Sequence, residues 1–293
     1  MVVFELLAKR AWYGSRARIQ RMRSGGAPPE APKTLSPPAT RLPLEIVEMV
    51  IAHLIYDKRS LLSCSLICSF WYTATVPHLH HTLVVQTFSR RDGQKIGWPK
   101  PLQEASKLGL LPLVKKFRVR VGFSDTAMFS RKRFNWRTLR QFSALRSVQE
   151  LAIDYLDIPS FMPRIRRYFG HFSLTVQSLA LRKPRGTSRQ IVFFIGLFQH
   201  LEDLKLLYDV IYPQGEQAND RTLVPSFIPP LRGQLAITCF RRNVDLLKDM
   251  IDLFGGIRFR CMDIFNVKGT RLLLGACADT LETLRLCPTD PHG

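Results

Sequence analysis

A six-residue pattern, apolar at its fourth and sixth positions, recurs seven times between residues 114 and 286. The copies are VKKFRV (114–119), VQELAI (148–153), VQSLAL (176–181), LEDLKL (201–206), RGQLAI (232–237), FRCMDI (259–264) and LETLRL (281–286). Their fourth positions are Phe117, Leu151, Leu179, Leu204, Leu235, Met262 and Leu284, spaced 34, 28, 25, 31, 27 and 22 residues apart. Period-two alternation over six residues predicts a short strand with one buried face. Helix-like stretches fall between the copies: WRTLRQFSAL, FMPRIRRYFGHF, RQIVFFIGLFQHL, VDLLKDMIDLF and TRLLLGACADTL. Strands that alternate with helices in this way are expected to lie parallel, side by side, with the helices outside.

The class expected is therefore α/β, and units of this length suit an irregular leucine-rich-repeat solenoid over residues 113–293. An ordinary doubly wound α/β domain is the competing arrangement. The chain stops at LCPTDPHG, directly after the seventh copy, where a repeat array is expected to carry a closing cap.

Before the repeats the chain has three other characters. Residues 1–40 hold an Arg-rich stretch and then five prolines between Ser24 and Thr40, read as a basic disordered arm and Pro-rich linker. The acid-poor start also resembles a mitochondrial presequence. Residues 86–112, with FSRRDGQKIGWPKPLQEASKLGLL, fit no copy of the pattern and are expected to be a connector.

Residues 41–85 read as a compact helical domain. LPLEIVEMVIAHL sets Ile46, Val47, Val50, Ile51 and Leu54 in a broad apolar helical stripe, with Pro43 suited to the first helical position. After the loop YDKR, Ser60 is expected to cap one further helix, LLSCSLICSFWYTAT, ending before Pro77.

Charge separates these regions. The net charge is +20. Residues 1–40 carry seven Lys/Arg against two Glu, residues 41–85 carry three of each sign, and residues 86–293 carry 33 against 18. A basic surface of that size attracts nucleic acid or acidic protein alike, so a basic nucleic-acid-binding protein is the alternative function. The aromatic residues are not interleaved with the basic ones in any recognisable RNA- or DNA-binding motif.

The longest apolar run, IVFFIGLF (191–198), is far short of the roughly 20 residues a membrane helix needs. Six scattered cysteines suit reduced thiols in the cytoplasm or nucleus better than a disulfide scaffold. No nucleophile elbow, phosphate loop, dinucleotide fingerprint or zinc-protease helix occurs, so neither catalysis nor a cofactor is expected.

One cluster looks metal-like: CSLICSFWYTATVPHLHH (64–81) sets Cys64 and Cys68 before His78, His80 and His81. Both cysteines fall on the apolar helical face with Leu61, Trp71 and Tyr72. Core cysteines are therefore expected, not zinc ligands.

The same segment resembles an F-box. Leu42-Pro43-Leu44-Glu45-Ile46, then Leu54, then Ser60-Leu61, then Ile67-Cys68-Ser69-Phe70-Trp71 follow the pattern L-P-x-E-I … V-C-x-x-W, with Ile67 in place of valine. The likeness spans Arg41 to Val85 and is similar to the F-boxes of large basidiomycete fungal families, whose members continue into divergent leucine-rich repeats.

The resemblance implies docking to a Skp-type adaptor, and through it to a cullin scaffold, so that a substrate held by the repeats is ubiquitinated. It implies that Leu42 and Pro43 start the adaptor interface, that Ile46, Ile51, Leu54 and Leu61 form its apolar face, and that Ile67, Cys68 and Trp71 form a second anchor. Strand alternation turns the third, fifth and following residues of each copy away from the core. The substrate face expected there comprises Lys116, Arg118, Arg120, Asp154, Arg182, Lys205, Thr238 and Arg285, and its basic balance suits an acidic or phosphorylated protein segment.

Overall fold

A computed structural model of the chain describes residues 42–87, 100–121, 141–207, 210–211, 231–238, 244–254, 256–265 and 269–287. The arm over 1–40, most of the connector before Lys100 and the first half of the helix expected at 136–145 lie outside these residues; its second half holds a 3-10 turn over Phe142–Ala144. Two compact units divide the chain, the first ending at Leu79 and the second opening at His80.

The described residues of the first unit form three helices: α1 (Leu44–Leu54), α2 (Lys58–Ser65) and α3 (Ser69–Leu79). Pro43 precedes α1, and its carbonyl accepts from the N–H groups of Ile46 and Val47 at 3.1 and 3.3 Å. Val47, Ile51, Leu61 and Trp71 form the core, with Leu54, Cys64, Cys68 and Leu79 packed against it.

The single second helix expected from sequence is two. Asp57, not Ser60, caps the first: its Oδ1 accepts from the N–H of Arg59 and Ser60, and its Oδ2 from the Ser60 hydroxyl at 2.6 Å. These bonds to the ionised form hold the Asp57 carboxyl below its usual range, the Ser60 side chain foremost. The break falls at Leu66–Cys68, where the N–H groups of Leu66 and Ile67 turn back to the carbonyls of Ser63 and Cys64. Ser63 and Ser65 help end the helix, since both hydroxyls bond main-chain carbonyls of the preceding turn. Helix α3 runs through Pro77 for two more residues. Proline there withholds the N–H that would bond the carbonyl four residues back and crowds that carbonyl, and the helix ends two residues later.

The second unit holds one sheet of eight parallel strands in chain order: β1 (Thr82–Thr87), β2 (Lys116–Val121), β3 (Glu150–Asp154), β4 (Ser178–Arg182), β5 (Asp203–Leu207), β6 (Arg232–Thr238), β7 (Arg258–Phe265) and β8 (Thr283–Cys287). The seven hexapeptides supply β2 to β8. Strand β1 precedes them, inside the segment assigned by sequence to the helical domain.

The fourth positions pair in one unbroken row: Leu83, Phe117, Leu151, Leu179, Leu204, Leu235, Met262 and Leu284. The sixth positions form a second row from Val85 to Leu286. The strand–helix repeat thus starts at Thr82. Its first helix, α4 (Lys100–Lys107), lies in the expected connector and buries Leu102 in the main core.

Among the described residues five further α-helices follow: α5 (Ile158–Phe161), α6 (Ile165–Phe169), α7 (Ser188–Ile195), α8 (Val244–Leu253) and α9 (Thr270–Ala276). Their apolar sides join the two rows from β1 to β7 in one core, whereas Leu284 and Leu286 of β8 are 38% and 57% exposed, so the buried face expected for the seventh copy is not formed. Helix α7 starts at a capping box, with the Gln190 N–H donating to Thr187 Oγ1 at 3.2 Å and the Thr187 N–H donating to Gln190 Oε1 at 3.1 Å.

Aromatic rings fill the space behind β2 to β5. Phe169 lies within 5.1 to 6.4 Å, centroid to centroid, of Phe142, Phe161, Phe172 and Phe194. His171 sits beside them, its ring 3.9 Å from that of Phe172. Burial lowers its pKa from 6.5 to about 4, against a smaller opposing effect of a hydrogen bond with the Phe142 main chain.

Phe169→Ala is expected to cost about 3–5 kcal/mol in equilibrium urea unfolding, since no part of the ring reaches solvent. A cost below about 1 kcal/mol would contradict this packing. The His171 pKa in the folded chain lies below its unfolded value, so the unfolded chain takes up the proton first. Its contribution is expected to be complete above pH 6.5 and lost as pH falls toward about 4. His171→Gln should flatten the fall in melting temperature across that window, and an unchanged slope would exclude His171 as its source.

Candidate functional site

Helix α1 divides its apolar residues between two directions. Val47 and Ile51 are fully buried, whereas Ile46, Met49 and Val50, at i, i+3 and i+4, face solvent together. Leu42, Pro43 and Leu44 continue the exposed side ahead of the helix. At the α2–α3 break, Leu66 and Ile67 are 68% and 50% exposed.

Of the nine residues expected at a docking surface, Leu42, Pro43, Ile46 and Ile67 are exposed, and Leu54 and Cys68 are half-buried. Ile51, Leu61 and Trp71 are enclosed by the unit's own core, so they support the surface and do not form it. Met49 and Leu66 were not singled out by sequence. Spacing from Ile46 identifies Met49, while Leu66 emerges only from the unexpected break. Among the described residues no three His, Cys, Asp or Glu side chains assemble as a metal ion requires, and Cys64 and Cys68 pack against the Trp71 core.

In the second unit, the eight residues expected to face substrate occupy sheet positions that alternate with the apolar rows, although on β8 Leu284 and Leu286 are exposed like Arg285 between them. The structure does not unite all eight. Lys116 is ion-paired to Glu150 at 2.6 Å and Arg285 to Asp263 at 3.9 Å, while Thr238 and Arg285 lie on β6 and β8. Arg118, Arg120, Asp154 and Arg182 stand on the adjacent strands β2, β3 and β4, with Asp154 and Arg182 as register partners. Between Arg118 and Lys205, Ala152 and Ala180 occupy the intervening places in one row, leaving a low floor.

Burial raises the pKa of Asp154, while Arg182, Arg120 and Arg118, in that order, pull it down. Immediately after this row, Tyr155 and Lys183 take left-handed backbone conformations, with φ of 56° and 47°. They occupy equivalent places in successive repeats, and Lys183 Nζ lies 5.7 Å from the centre of the Tyr155 ring. Left-handed bulky residues cost about 1–3 kcal/mol each and cluster at functional sites. Local sequence carries no sign of them, because neither position is glycine or asparagine.

No helix among the described residues is long and apolar enough to cross a membrane. No family model matches the chain, and no curated protein is similar to it.

Asp154→Asn is expected to raise stability at neutral pH, because the folded state disfavours the ionised carboxyl. The gain should shrink as pH falls and Asp154 takes up its proton. Equal or lower stability of the variant at pH 7 would show that the three arginines outweigh burial.

Proposed function

We propose that the chain is the substrate-recognition subunit of a Skp–cullin–F-box ubiquitin ligase, with residues 42–79 as its F-box and the sheet unit as a divergent leucine-rich-repeat receptor. The observation that carries this reading is the outward apolar side of a small helical unit. Leu42, Leu44, Ile46, Met49 and Val50 are exposed on a unit whose described residues bury four apolar side chains as a core. Apolar side chains exposed on that scale mark a protein-docking surface. Residues 41–85 carry no net charge, which disfavours nucleic acid as the partner there. The order L-P-x-E-I, loop, I-C-x-x-W supplies the type of partner, a Skp-type adaptor. The chain itself does no chemistry in this reading; it holds a target for a ubiquitin-conjugating enzyme brought by the cullin, in the cytoplasm or nucleus.

The receptor surface proposed is the group of Arg118, Arg120, Arg182 and Lys205 around Asp154. Its cations exceed its anions by three, which suits an acidic or phosphorylated segment of a target protein. The basic surplus of residues 86–293 also supports the alternative, nucleic-acid binding.

Both readings meet in one purification. The 293-residue chain expressed in a fungal cell is expected to retain a Skp-type adaptor through about 0.5 M salt, which screens exposed charges strongly. Leu42→Ala/Pro43→Ala and, separately, Ile67→Asp should each reduce retention about tenfold or more, since truncating a docking anchor typically costs over 1 kcal/mol. Equal retention by wild type and both variants would sink the docking assignment. Nucleic acid bound instead, lost steeply with salt and unaffected by either variant, would support the alternative.

A further inference from the structure

The entry to each strand repeats one hydrogen-bond arrangement. A carbonyl two residues before the fourth position accepts from two successive N–H groups of the next repeat. His81 receives Lys115 and Lys116, Lys115 receives Gln149 and Glu150, Gln149 receives Gln177 and Ser178, and Gln177 receives Glu202 and Asp203. The next step departs from this. Glu202 receives only Gln234, at 2.7 Å, and Gly233 turns to φ +88° with its Cα pressed against the Glu202 carbonyl. A Cβ at Gly233 would collide with that oxygen, so only glycine fits.

One strand further on, Gly233 pairs with Phe259 but Gln234 pairs with Cys261, leaving Arg260 as an extra residue in β7. Bulges of this kind re-aim side chains and are found beside functional sites.

The interruption opens a cleft of about 490 Å³ lined by Glu202, Asp203, Arg232, Gln234, Arg258 and Arg260, with Gly233 and Thr280 at its edge. Arg232 and Arg258 are direct register partners on neighbouring strands, roughly 4.8 Å apart at the backbone. Like charges so placed destabilise a sheet unless something offsets them. Among the described residues neither has an ion-pair partner, although Arg260 has one in Glu282 at 3.8 Å.

We infer that this cleft is a binding site for a phosphate monoester, its anionic oxygens held by Arg232 and Arg258. A planar guanidinium on each of two adjacent strands matches a tetrahedral dianion by paired charge-assisted hydrogen bonds. Glu202 and Asp203, which line the cleft beside β6, accept from hydroxyl or amide donors on the remainder of the ligand. The volume is that of a small-molecule or single-residue site. The site uses none of the residues assigned to the receptor surface and stands whether or not the chain docks an adaptor.

The full chain is titrated calorimetrically, at constant ionic strength, with inorganic phosphate, a hexose 6-phosphate and a phosphoserine peptide beside its unphosphorylated form. Saturable binding of inorganic phosphate is expected. Tighter binding of the sugar phosphate identifies a free metabolite as the source of the group, and tighter binding of the phosphopeptide alone identifies a protein segment. Arg232→Gln/Arg258→Gln should weaken each by about tenfold or more, the usual loss when charged hydrogen bonds are removed. Glu202→Gln/Asp203→Asn should tighten inorganic phosphate, an effect that misfolding does not produce. Absence of saturable binding by all three probes, or indifference of phosphate affinity to both double variants, would overturn the assignment.

Discussion

Two rows of apolar side chains, one from Leu83 to Leu284 and the other from Val85 to Leu286, fix the register of every strand in the second unit. A slip of one residue in any strand from β1 to β7 would turn its buried pair to solvent and its polar residues inward, whereas Leu284 and Leu286 of β8 are exposed already. For an inner strand such as β4 that means exposing Leu179 and Leu181, both fully buried, and burying Arg182. Burying such side chains contributes about 1.5–3 kcal/mol each, so the register is set more strongly by the core than by the hydrogen bonds. The bonds at the strand entries follow from it.

The same constraint explains how repeats of unequal length build one regular sheet. Parallel neighbours cannot be joined by a tight turn and need a crossover, whose length is free so long as it returns to the sheet. Loop-closure entropy rises only slowly with length, about 0.6 kcal/mol per doubling. The 34 residues from Phe117 to Leu151 and the 25 from Leu179 to Leu204 therefore end in the same pairing. What varies is the filling: α7 supplies Ile191, Val192, Phe194 and Ile195 from one continuous helix, whereas β3 to β4 is spanned by short turns that contribute Phe161, Phe169 and Phe172. Large rings compensate for helices too short to cover the sheet.

This account also separates what local sequence carries from what it does not. Strands β2 to β8 are legible because two alternating apolar positions are a local signal. The matching Leu83 and Val85 of β1 carry the same signal, but they directly follow the His78–His81 group and were absorbed into the helical domain. The face of each strand was legible for the same reason. Its pairing partners were not, because Lys116 meets Glu150 and Arg285 meets Asp263 only once the register is set, across 34 and 22 residues. In the helical unit, apolar spacing identified the stripe on α1 but not its division. Ile46 and Ile51 look alike in sequence, and only packing against Leu61 and Trp71 decides which turns inward. The break between α2 and α3 depends on serine side chains competing with the helix backbone, a weak local effect that the apolar pattern masks.

The two units carry different physics at their surfaces. Exposed leucine, isoleucine and methionine on a neutral helical unit act through burial, which salt leaves largely intact or strengthens. Arg118, Arg120, Arg182 and Lys205 on the sheet act through charge, which salt screens within about 10 Å at 0.1 M. Under the proposed function, an adaptor contact and a target contact would be separable by ionic strength alone. The irregular step between β5 and β7 adds a third kind of surface. The first four strand entries repeat one arrangement, and Gly233 with the extra Arg260 interrupts it at the place where two arginines face each other without an ion-pair partner among the described residues. A regular array gains nothing in stability from such a step, since it gives up a backbone hydrogen bond and sets like charges side by side. Its presence is best accounted for by what the cleft binds.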